Sequence, residues 1–119
     1  MDKSTAMNLL KNTFYSYELI DGNEVQLTLA FYLLKQLEGK NPTLTDRYYK
    51  ATAKKQHEMK DLDAVTIIYT AYCCANLGNP DLMDEDTFMI MMGSDRVSLG
   101  GLMNKLVGAK KKPGSVSRS

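Results

Sequence analysis

The chain has no tryptophan, one histidine, and two cysteines that are neighbours. Each shortage removes a class of chemistry. A lone His57 in a Lys/Glu-rich stretch, without partner ligands, reads as a solvated surface residue and not as a metal centre. With one histidine and no Gly-x-Ser-x-Gly, a Ser-His-Asp site has little support. Cys73 and Cys74 are badly placed for a structural disulfide, and no Cys-x-x-Cys exists for zinc or redox work. On a helix the two would project about 100° apart, so one is expected to face the core. Gly100-Gly101 make no dinucleotide-binding loop, and no P-loop is present. The acids at 81, 84, 85 and 86 lack the spacing of a calcium loop and read as a helix cap with a solvated turn. The longest apolar run, Leu29 to Leu34, is far short of the ~20 residues that cross a bilayer. Met1-Asp2-Lys3-Ser4-Thr5 leads into no apolar signal core. The expectation is a cytoplasmic, non-enzymatic protein without catalytic residues, cofactor or metal.

What is present suits one soluble domain. The chain has 119 residues, 44% of them hydrophobic and 24% charged, enough for a single core without staples. The charge is uneven. Four of the 15 bases, Lys110, Lys111, Lys112 and Arg118, follow Ala109, and none of the 14 acids does. The body is therefore acidic beneath an overall charge of +1. Residues 1–13 are weakly patterned, as a frayed segment or a short helix. Residues 14–108 read as the globular domain, and 109–119 as a flexible basic tail without apolar periodicity.

The predicted fold class is α+β, mostly α, with an N-terminal β-hairpin packed on about four helices. Tyr15, Tyr17 and Leu19 alternate with polar residues, as do Val25, Leu27 and Leu29. The turn cluster Asp21-Gly22-Asn23 lies between them. A three-residue loop over 21–23 would pair Leu19 with Val25 and Tyr17 with Leu27, keeping apolar side chains on one face. Gly22 or Asn23 would supply the positive φ. A helix over about 30–38 places Ala30, Leu33, Leu34 and Leu37 on one face, with Gly39 as its stop. Asn41-Pro42 reads as N-cap and first position of the next helix, which carries Leu44, Tyr48 and Ala51 inward. Residues 54–60 are the end of that helix or a loop. Asp61 or Asp63 would cap a third helix to Leu77, apolar on nearly all sides and hence central. Acids 84–86 favour the start of a fourth helix, closed by Gly93. Ser94 would cap a last one with Leu99, Leu102, Met103 and Leu106 inward.

Met89, Met91, Met92 and Met103 are the candidate partner-binding residues. Methionine adapts its shape, and clusters of it recur on surfaces that take varied apolar partners. The alternative is that these side chains fill gaps in the core. The basic tail is a weak nucleic-acid signal, since it has no interleaved aromatics.

Three stretches in order resemble the tail assembly chaperones of long-tailed bacteriophages and prophages of Gram-positive bacteria. They are Tyr17 to Leu29, Ile68 to Asn76, and Leu102-Met103-Asn104-Lys105-Leu106 running into the lysines. The similarity spans roughly residues 14–112. It implies a non-enzymatic protein of the host cytoplasm, absent from the finished virion. Such a protein holds the apolar, helical tape measure protein soluble and helps tail tube subunits gather on it. It also implies a longer form made by a −1 translational frameshift, placed here near Lys110 to Lys112, whose different end would reach the tail tube protein. A groove for apolar helices would also accept a neighbour's helix, so self-association is allowed. The competing classes are a small cytoplasmic regulator or nucleic-acid adaptor using Lys54, Lys55, Lys60 and the tail, and a structural tail component retained in the virion.

Overall fold

A computed structural model describes residues 1–107. The expectations for the tail 109–119 and for the lysine run lie outside them. In chain order the elements are α1 (Lys3–Lys11), β1 (Tyr15–Glu18), β2 (Glu24–Leu27), α2 (Phe31–Lys40), α3 (Pro42–Ala53), a 3-10 turn (Gln56–Glu58), α4 (Asp61–Ala75), α5 (Glu85–Met92) and α6 (Arg96–Leu106). The class is α+β, mostly α, with a two-stranded antiparallel N-terminal hairpin.

α4 is the axis of the fold. Its residues 64 to 74 are all buried, as expected of a helix that is apolar on nearly every side. α3, α2, β2, α5 and α6 all pack against it. Both cysteines are buried, not one alone, because α4 is enclosed on both of the faces that adjacent positions occupy. Neither Asp61 nor Asp63 is the N-cap, which is Lys60. The Asp63 carboxylate instead accepts the Lys60 backbone N–H at 2.9 Å from inside the first turn.

The hairpin keeps the expected faces but pairs two residues earlier. Tyr15 lies opposite Leu27 and Tyr17 opposite Val25. The loop is three residues long, as expected, but it is Ile20-Asp21-Gly22. The Leu19 N–H donates to the Asn23 carbonyl at 2.8 Å across it. Gly22, at φ +87°, takes the last loop position, where this loop class needs a left-handed residue. Asn23, whose N–H and side chain both donate to the Asp21 carboxylate, is left to rejoin the strand. A two-residue shift preserves side-chain parity, so the apolar pattern could not distinguish the registers.

The other boundaries follow local chemistry. α1 is a helix begun by the Asp2 carboxylate, which accepts the Thr5 N–H. Gly39 does not stop α2, which runs to Lys40. Asn41 ends it, at φ −146° and ψ 72°, because the residue before a proline is driven out of the α region. The Asn41 side chain then accepts the Leu44 N–H and starts α3 with Pro42 in the first turn. Asp95, not Ser94, caps α6, accepting from both Val97 and Ser98. A carboxylate at this position also favours the positive end of the helix dipole.

Tyr48 is 1% exposed, and its hydroxyl has no hydrogen-bond partner among the described residues. Burial pushes its pKa up to about 12. Tyr48→Phe is expected to leave stability unchanged or raise it by up to about 1 kcal/mol, since a buried unbonded hydroxyl costs more than it returns. Urea unfolding checks this, and a loss above about 1 kcal/mol would mean that the hydroxyl is bonded.

Candidate functional site: a methionine-lined trough

The loop after α4 is tied down before α5 begins. The Tyr69 hydroxyl donates to the Met83 carbonyl at 2.9 Å, and the Met83 N–H donates to the Tyr72 hydroxyl at 3.0 Å. Asp84 caps α5 by accepting the Thr87 N–H. Arg47 on α3 grips Glu85 with two hydrogen bonds of 2.8 Å and reaches Thr66 on α4 at 3.1 Å. The guanidinium holds the Glu85 carboxyl below its ordinary pKa. Phe88 is fully buried and stacks on Tyr72 at 4.6 Å between ring centroids. Gly93 closes α5 at φ 73°. These restraints hold α5 against the middle and last turns of α4.

Two cavities open between these helices. One, of about 200 Å³, is lined by Leu62, Val65, Met89, Met92 and Leu99. The other, of about 350 Å³, is lined by Met59, Ala64, Leu99, Gly100 and Met103. Asp61, Arg96 and Leu99 belong to both. An ion pair between Arg96 Nε and Asp61 Oδ2, 2.7 Å apart, lies across the boundary. Both partners are largely exposed, and such pairs contribute about 1 kcal/mol or less. The two cavities adjoin at these shared residues and together make one trough, in which apolar and charged side chains both take part. Lys54, which also lines the second cavity, pairs with Asp63 at 2.9 Å.

Of the four methionines singled out by sequence, the structure brings Met89 and Met92 into one cavity and Met103 into its neighbour. Met91 lines neither; it packs against the core, and its carbonyl accepts the Ile20 N–H at 3.0 Å. Met92 and Met103 also touch the core, so the gap-filling and surface roles coexist in the same side chains. Sequence reasoning missed Leu62, which lines the first cavity and is 66% exposed.

His57 is exposed, with its ring 3.9 Å from the Glu58 carboxylate. Among the described residues no group of three or more His, Cys, Asp or Glu is placed to hold a metal ion. No described helix is long and apolar enough to cross a membrane. Burial pushes the Cys73 thiol up to about 11 and the Cys74 thiol up to about 12. The thiolate is the reactive form, so neither is expected to react with a thiol reagent at pH 8 until the protein is unfolded. The raised values also set a sign. The unfolded chain ionises first as pH climbs past about 9, so stability should fall from there through pH 11–12. Rapid labelling of the folded protein at pH 8 would show that α4 is not enclosed.

No family model, curated protein or solved structure matches the chain.

Proposed function

We propose that this is a tail assembly chaperone, a non-enzymatic protein of the bacterial host cytoplasm that binds apolar helical segments of a phage tape measure protein. The observation that carries the reading is the trough. Met89, Met92, Leu99 and Met103 present adaptable apolar surface between helices, with the exposed Leu62 at its edge. Helix-in-groove recognition uses such a surface, reading apolar residues at helical spacing. Methionine fits the task because a long apolar partner offers many non-identical segments. The resemblance of residues 14–112 to the chaperone family supplies the partner's identity. A tail tube protein would be reached through a longer, frameshifted form.

The nucleic-acid reading is less favoured, since Lys54 is already tied to Asp63. Co-expression with a phage tape measure protein tests the proposal. The partner should move from the pellet to the soluble fraction and co-purify at moderate salt. Phosphate-driven binding would instead fall steeply with ionic strength. An unchanged pellet with no co-purification would defeat the proposal.

A further inference from the structure

The two edges of the hairpin are treated differently. The β2 edge packs against α4, which reaches some of its outward backbone groups but, among the described residues, not those of Glu24. The Gln26 carbonyl accepts from the Asn76 side chain, and the Thr28 N–H donates to the Ala71 carbonyl. Along β1 the cover is incomplete. The bond from Leu19 to Asn23 fixes the alternation, so Tyr15 and Tyr17 bond to β2 while Ser16 and Glu18 turn their N–H and C=O outward. Ile20, next in that outward series, is satisfied by Met91. The outward N–H and C=O groups of Ser16 and Glu18 have no partner among the described residues.

This open edge is one wall of a groove of about 520 Å³, within the usual range of binding cavities. α6 forms the other wall, through Asp95, Ser98, Gly101, Leu102 and Lys105. No Cα of β1 lies within 8 Å of one in α6. Gly101 keeps the wall low, since a Cβ there would meet nothing within 4 Å.

The charge pattern selects an occupant. Glu18 and Glu24 stand directly opposite each other in a non-hydrogen-bonded pair, the arrangement that brings side chains closest. Like charges so placed repel. Neither carboxylate has an ion-pair partner among the described residues. A cation on a third strand beside Glu18 would project on the same face and relieve the pair. The neighbours of that cation on the strand would point to the opposite face, toward Met92 and Leu102.

The geometry points to β-strand addition: the outer edge of β1 takes an extended segment of a partner protein, with Lys or Arg in register with Glu18 and apolar residues on either side. Main-chain bonds to Ser16 and Glu18 supply affinity, and the Glu18–Glu24 pair supplies selectivity. The site shares Tyr17, Met92 and Asp95 with the methionine trough, yet it recognises an extended chain, not a helix. It does not depend on the chaperone reading.

The test uses the full chain and a capped heptapeptide alternating valine and lysine. Titration should show saturable binding, with amide NMR shifts centred on Ser16 and Glu18. N-methylation of the peptide on its bonding edge should weaken binding about tenfold or more, the effect of two lost hydrogen bonds. Glu18→Lys should weaken it about as much and turn preference toward a glutamate-bearing peptide. Gly101→Leu should block the groove while melting no earlier than the parent, since glycine is a poor residue inside a helix. No binding at millimolar peptide, equal binding of the N-methylated peptide, or an unaffected Gly101→Leu protein would overturn the proposal. Binding about tenfold tighter in the Lys110→Glu, Lys111→Glu, Lys112→Glu triple variant would also overturn it, by making this chain's own basic segment the occupant.

Discussion

Phe88→Ala is expected to destabilise the protein by about 3–5 kcal/mol, at the top of the range for single core truncations. Phe88 is the only fully enclosed residue of α5. Its ring meets Tyr72 at 4.6 Å, Tyr69 at 5.6 Å and Tyr17 at 6.4 Å. It thus joins α5 to α4 and to the hairpin in one aromatic cluster. Ring pairs of this kind add to the burial energy, and the cavity left by an alanine could close only if three tyrosines moved. The two tyrosines on α4 also hold Met83, so the loss would spread to the loop before α5. Denaturant unfolding measures the effect. A loss under about 1 kcal/mol would mean that α5 is not docked through Phe88.

The second large effect is on binding. Leu62→Glu combined with Met89→Glu should weaken association with an apolar helical partner about 100-fold, because each carboxylate would have to be buried without a partner. Folding should change by less than about 1 kcal/mol, since Leu62 is 66% exposed and Met89 is only half-buried. The pair of measurements separates a binding role from a structural one. Equal binding by the double variant would remove the trough from the mechanism.

Much of the fold could be read from the chain, because its signals are local and agree with one another. Asn41-Pro42 announced a helix start that the structure places at Pro42. The apolar faces of α2 and α3 were given by Leu33, Leu34, Leu37, Leu44, Tyr48 and Ala51, all buried. The many-sided character of α4 named the centre of the core. Where reading failed, two local signals competed. Gly39 looked like a stop, but the constraint imposed by Pro42 acts two residues later and decides the end of α2. Ser94 and Asp95 are both capping residues, and only the structure selects Asp95. The hairpin register failed for a different reason: parity fixes the face, and the loop's need for glycine at its last position fixes the pairing.

The candidate site was half legible. Composition pointed to methionine, but not to which methionines share a surface. That depends on how α5 and α6 meet the first turn of α4, a long-range fact without local pattern. Met91 and Met92 are neighbours in sequence and both touch the core, yet only Met92 also lines the trough. The open edge of β1 was invisible to sequence, because it depends on what fails to cover it.

The most direct test of the trough is the methyl NMR spectrum of protein carrying ¹³C-methyl methionine, titrated with an amphipathic helical peptide from the proposed tape measure partner. The eight methionines of the chain report from separate places. The Met89, Met92 and Met103 methyl signals should shift together and saturate, while those of Met1 and Met7 stay in place. An unchanged spectrum at saturating peptide, or shifts confined to methionines outside the trough, would contradict the trough's role.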